Sequence, residues 1–103
     1  MLVGKFLAEF LGTFVFLSVI ITTVDSNNIF KSASAWIKIG LALSVVILSF
    51  GIISGGHFNP AVSLMFYANN QLPAEEFAVY VVAQLLGAIG AFVYFKLAQK
   101  YVD

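Results

Sequence analysis

The stretch Ser54-Gly55-Gly56-His57-Phe58-Asn59-Pro60-Ala61-Val62-Ser63 decides how this chain folds. It interrupts a sequence that otherwise reads as membrane. Asn is a favoured helix N-cap, and Pro suits the first helical position, where no intrahelical N–H bond is lost. Asn59 therefore reads as a cap, and Pro60 to about Ala68 as a helix. At 1.5 Å per residue such a helix reaches about 14 Å, about half of a hydrocarbon core. A half-length helix preceded by irregular backbone is tolerated at membrane depth only inside protein or beside a water-filled cavity. Its N-terminus carries partial positive charge and unbonded N–H groups. That arrangement suits the handling of water, anions or polar solutes within a bilayer.

The flanks supply the membrane context. Of the 103 residues, 61% are hydrophobic and 10% charged, and the formal charge is zero. This length allows one domain at most. The apolar content exceeds the soluble norm of about 45–50%, which points to an all-α integral membrane protein, multi-pass and in contact with lipid. There is no basic patch, so nucleic-acid binding lacks electrostatic support. The absence of cysteine removes disulfides and thiolate chemistry. No nucleophile–base pair and no phosphate loop is present, so the chain reads as a non-enzyme with no cofactor.

Residues 6–24 form a first span with one charge, Glu9. A signal peptide is the bland alternative, with Lys5 as its positive start and Ala33-Ser34-Ala35 as a cleavage-like site. The apolar run exceeds the usual 7–15 residues, and that site lies too far downstream. Asp25 to Asn28 reads as a polar turn, and Ile29 to Trp36 as a short loop, with Trp36 and Lys38 as interfacial anchors. Residues 37–53 form a second span with small positions at Gly40, Ala42, Ser44, Ser49 and Gly51 for close packing. Residues 54–68 are the re-entrant loop and half-helix. Tyr67 to Pro73 is a polar connector. Residues 77–98 form a third span, introduced by Pro73, Glu75 and Glu76 and anchored at its far end by Tyr94, Lys96, Lys100 and Tyr101. Ala83, Gly87 and Ala91 repeat every fourth residue and form a small-residue face.

Three residues carry open readings. Glu9 within a span is costly, and either carries protons or cations or accepts N–H bonds from a nearby broken loop. Thr13 lies on its face of the helix. Gln84 is intramembrane and polar, and its bland reading is an interhelical hydrogen bond. His57 is the only histidine. No Cys, His or carboxylate cluster accompanies it, so a metal site is disfavoured. A loop-fixing or mouth-lining imidazole is the better reading, and titration there would make a pH gate.

The run SGGHFNPAVS resembles the first signature loop of the major intrinsic proteins, the aquaporin and glycerol-facilitator family. Ala8-Glu9-Phe10-Leu11-Gly12-Thr13 resembles the AEFLGT motif of that family's first span. Ala83-Gln84-Leu85-Leu86-Gly87-Ala88 resembles the AQ-x-x-GA of its third span. The resemblance covers essentially the whole chain, but half of the family's usual length. It implies half of an aquaporin-like fold: three transmembrane helices plus one re-entrant half-helix. It implies a pore motif at Asn59, Pro60 and Ala61, and backbone carbonyls of Gly55, Gly56, His57 and Phe58 along the solute path. It assigns loop bracing to Glu9 and Gln84. By spacing, it sets Ile39 where the second span places a constriction residue.

Function follows as an expectation. Family members use two such halves in inverted orientation, whose half-helices meet at the midplane. Here Val62 follows Asn59-Pro60-Ala61 where the second half carries arginine, and the chain has no arginine at all. It therefore resembles the first half and lacks the cationic filter residue. The expectation is passive conduction of water or a small neutral solute such as glycerol. The pore would be assembled from two or more chains, either as an antiparallel self-associated pair or with a second half-aquaporin chain. Lys5 falls on one side, and Lys31, Lys38, Lys96 and Lys100 on the other. The positive-inside rule makes that second side cytoplasmic, whereas the resemblance puts the N-terminus there. Orientation stays open, and the opposition fits mixed insertion or a partner chain. The competing readings are a proton-coupled small multidrug-type transporter using Glu9, and a non-conducting membrane interaction subunit.

Overall fold

The computed structural model describes residues 1–24 and 34–102. The sequence readings for the turn at residues 25–28 and for Lys31 fall outside the described residues. Four helices follow in order: α1 (Leu2–Val24), α2 (Ala35–Ser54), α3 (Pro60–Ala68) and α4 (Ala74–Val102). No strand occurs among the described residues. α1, α2 and α4 are each long and apolar enough to cross a membrane. At 1.5 Å per residue they reach roughly 35, 30 and 43 Å, against about 30 Å of hydrocarbon. α3 matches the short helix expected after Asn59.

The long helices extend beyond the spans read from hydropathy. α1 begins at Leu2 and continues through Lys5, whose ammonium pairs with Glu76 on α4. α2 begins at Ala35, so Trp36 lies in its first turn rather than in the preceding loop. Trp36 is 71% exposed, as suits an interfacial anchor. Charge marks where apolar composition stops, but a helix ends only where its backbone loses partners or meets a breaker.

α1 is the central element, packed against α4 on one side and α2 on the other, while α3 packs against α4. The α1–α4 contact is close because of Gly87. A Cβ there would lie 2.8 Å from the Phe10 carbonyl oxygen and 3.0 Å from the Thr13 Cβ. Ala83, Gly87 and Ala91 are all buried, so the small-residue face of α4 is the one that meets α1.

The turn out of α2 uses left-handed backbone. Gly55 caps the helix at φ 90° and donates its N–H to the Gly51 carbonyl at 2.7 Å, and Gly56 follows at φ 71°. α3 closes with a Schellman-type return, in which the Gln71 N–H reaches the Phe66 carbonyl at 2.8 Å and Asn70 adopts φ 59°. Leu72 is buried, and Tyr67 stacks on Phe77 at 4.8 Å, which fastens this hairpin to α4.

Candidate functional site

The site is built around a carboxylate. Glu9 has no exposed surface, and its two oxygens accept four hydrogen bonds. Oε2 accepts from the Ser54 hydroxyl at 2.6 Å and from the His57 N–H at 3.0 Å. Oε1 accepts from the Phe58 N–H at 2.8 Å and from Gln84 Nε2 at 2.9 Å. An ionised carboxylate offers about four lone-pair sites, and all are taken. The donors are backbone, hydroxyl and amide, with no cation among them. A buried charge satisfied this way is stabilised without a counter-ion, by bonds stronger than neutral ones.

These contacts orient the loop. No peptide among the described residues is cis, and in a trans peptide the carbonyl points opposite to the N–H of the same unit. The N–H groups of His57 and Phe58 face Glu9, so the carbonyls of Gly56 and His57 face away from it. The Gly56 N–H reaches the Ser54 hydroxyl at 3.2 Å, which turns the Gly55 carbonyl away likewise. The Tyr80 hydroxyl donates to the Ser54 carbonyl and holds the end of α2.

Phe58 pins the loop to α1. Its backbone is left-handed at φ 53°, and its ring is 2% exposed. A Cβ at Gly12 would come within 2.1 Å of that ring, so the absent side chain of Gly12 is the space the ring fills. The left-handed conformation costs about 1–2 kcal/mol, whereas removing a packed phenyl ring costs about 3–5 kcal/mol. The ring decides the outcome. Phe58 thus turns its side chain into the helix packing, away from the open face.

Asn59 sits in extended conformation, φ −162° and ψ 123°, and caps α3. Its Oδ1 accepts from the Ala61 N–H at 2.8 Å, while the Ser63 N–H returns to the Asn59 carbonyl at 3.1 Å. The cap fixes which way the amide points. With Oδ1 committed to Ala61, the NH₂ group is left facing outward from an exposed residue. Pro60 and Ala61 are exposed beside it.

His57 is held on three sides. Nδ1 lies 2.8 Å from the Ser63 hydroxyl, the ring stacks on Phe66 at 4.7 Å, and the Tyr80 ring meets it edge-on at 4.9 Å. Gln84 Nε2 reaches the Ser63 hydroxyl at 2.9 Å as well as Glu9. A cavity of about 490 Å³ opens on the other side, lined in part by Lys5, Ser54, Gly55, His57, Glu76 and Tyr80.

The structure therefore brings Glu9, Gln84, Gly56, His57 and Phe58 into one network, with Asn59, Pro60 and Ala61 at its edge. Ile39 is elsewhere. It is half-buried one turn into α2, about 22 Å along that helix from Ser54. Four participants carried no assignment in the sequence. Ser54 and Ser63 bracket the quoted stretch, and their polarity between apolar neighbours was the available signal. Gly12 lies three residues after Glu9, on the same helix face, where a missing side chain leaves room for a loop residue. Tyr80 carried no signal, because a tyrosine in an apolar span also reads as packing.

Three spanning helices around a buried polar network, with a half-helix entering from one side, define an integral multi-pass membrane protein with a re-entrant segment. The family profile described as Major intrinsic protein matches residues 1–102. The chain belongs to that family. It is 43% identical to Glycerol uptake facilitator protein-like 6 of Lactiplantibacillus plantarum, over 84% of this chain and 40% of that protein. It is 40% identical to Nodulin-26 of Glycine max, over 82% of this chain and 33% of that protein. It is 38% identical to Aquaporin-2 of Rhizopus delemar, over 96% of this chain and 33% of that protein. The chain thus spans between a third and two-fifths of the length of these relatives. No solved structure gave a significant match.

Proposed function

We propose that this chain supplies one half of a passive transmembrane pathway for water and small neutral solutes such as glycerol, completed by a second, inverted half-repeat. The observation that carries the reading is the Asn59 side chain. Its oxygen is spent on the Ala61 N–H, so its NH₂ is presented outward at the positive end of a half-length helix. A donor so placed meets the oxygen of a passing water or polyol. Carbonyls of Gly55, Gly56 and His57, turned away from the Glu9 network, offer acceptors along the same face. Few polar contacts beside apolar walls allow solutes both to bind and to leave. Ile39, nearer the far end of α2, would form a second and less polar constriction.

Glu9 serves as a brace in this reading. A proton carrier must change partners, and a carboxylate with four donors on it would have to break those bonds to take a proton. The second half-repeat is either another copy of this chain, related by a two-fold axis in the membrane plane, or a separate inverted half.

The test is stopped-flow light scattering on proteoliposomes, challenged in parallel with sucrose, glycerol and a pH step. The expected result is accelerated water or glycerol flux with no proton flux. Proton-coupled uptake abolished by Glu9→Gln would establish the transporter instead, and unchanged permeability throughout would establish a non-conducting subunit.

A further inference from the structure

The polar network has a direction, and that direction reaches His57. Glu9 only accepts. The Gln84 amide near it must therefore present its NH₂, because the reverse orientation would set a carbonyl against the carboxylate. That one NH₂ group donates twice, to Glu9 Oε1 at 2.9 Å and to the Ser63 hydroxyl at 2.9 Å. The Ser63 oxygen accepts from Gln84, which leaves its single proton available to donate to Nδ1 of His57 at 2.8 Å. A nitrogen that accepts a proton contact carries none itself. In a neutral imidazole the proton then resides on Nε2. Glu9, Gln84 and Ser63 each have at most 1% of their surface exposed, so water does not scramble the order of the bonds. Among the described residues Nε2 has no hydrogen-bond partner, and His57 lines the cavity beside Lys5, Ser54 and Tyr80.

We propose that Ser63 is a positioning residue that locks His57 into its Nε2–H tautomer, so that the imidazole offers the cavity a hydrogen-bond donor for the oxygen of a neutral hydroxylated solute. The proposal rests on the conduction reading for the identity of what meets the donor. The lock itself does not. The Phe66 and Tyr80 contacts are to the ring's face and edge and do not choose between its nitrogens. A donor here complements the donor of Asn59. A polyol has oxygens that accept from both, whereas a bare cation finds no lone pair at either group.

His57 is the only histidine, so ¹⁵N-histidine labelling gives one imidazole spin system. In the intact protein at mildly alkaline pH, the expected spectrum shows Nε2 protonated and Nδ1 unprotonated. Ser63→Ala should give a mixture with a substantial Nδ1–H population, and Ser63→Thr should restore the original spectrum. In the same variants, glycerol flux should fall in Ser63→Ala in proportion to the Nε2–H population lost, about twofold for an equal mixture, and recover in Ser63→Thr. A protonated Nδ1 in the unaltered protein, or an unchanged tautomer in folded Ser63→Ala, overturns the lock. An altered tautomer with unaltered glycerol flux overturns the donor role. Absence of flux in the unaltered protein removes the conduction reading and the donor role with it, while the spectra still decide the lock.

Discussion

Glu9 and Gly12 share one face of α1, and each meets the loop by a different physical route. Glu9 collects N–H and O–H donors, and Gly12 leaves a hole that the Phe58 ring fills. Glu9→Gln replaces one accepting oxygen with an NH₂ that faces existing donors. Four charge-assisted bonds become two neutral bonds and two donor–donor contacts. The expected cost is about 2–4 kcal/mol, read as a lowered thermal unfolding midpoint in detergent. A midpoint equal to that of the unaltered protein would exclude the carboxylate as the brace of the loop. Gly12→Ala places a methyl where the buried Phe58 ring lies, so the ring must shift. Overpacking of this kind costs about 1–3 kcal/mol. The loop should loosen as well, seen as faster amide exchange at His57 and Phe58, the two N–H groups that Glu9 holds.

At the scale of the element, α3 is the least self-sufficient piece. An isolated helix of this length is not stable in water, so it depends on its cap, on the Schellman return at Asn70 and Gln71, and on α4. Two substitutions at Asn59 separate its roles. Asn59→Ala removes the cap and should cost about 1 kcal/mol of stability. Asn59→Asp keeps an accepting oxygen for the Ala61 N–H but removes the NH₂. The expected outcome is near-normal stability with reduced water flux in reconstituted vesicles. Equal flux in Asn59→Asp would exclude the amide as a solute contact.

At the scale of the whole molecule, the helices leave apolar residues exposed, among them Leu48 and Ile52 on α2 and Leu64 on α3. The start of α3 and Ala61 are exposed. If the completing half is another copy, the two half-helices meet end to end across a two-fold axis, and Ala61 of one copy approaches Ala61 of the other. The chain has no cysteine, so Ala61→Cys creates a single reactive position. Oxidation in native membranes should then yield a covalent dimer. A monomer under those conditions, with flux retained, would assign the second half to a different polypeptide segment. The Lys5–Glu76 pair belongs to this scale too, since it joins α1 to α4 and both residues line the His57 cavity.

Much of this architecture is local and therefore readable along the chain. Long apolar runs require helices because lipid offers no partner for the backbone, and Asn59-Pro60 starts a new helix because a cap and a fixed φ favour it. The small residues of α4 mark its packing face by their spacing alone. Beyond the bracing roles of Glu9 and Gln84 that the resemblance implied, the chain did not disclose which polar atoms meet across elements. Glu9 and Ser54 are forty-five residues apart, and Glu9 and Gln84 seventy-five. No periodicity relates such positions. The folded arrangement alone decides that the Phe58 ring turns inward against Gly12, that Ser63 stands between Gln84 and His57, and that the loop carbonyls face away from the carboxylate. Local sequence determined the helices and their breaks because propensity and hydropathy act over a few residues. Tertiary structure decided which donors meet the Glu9 carboxylate, because those groups find one another only once the helices are in place.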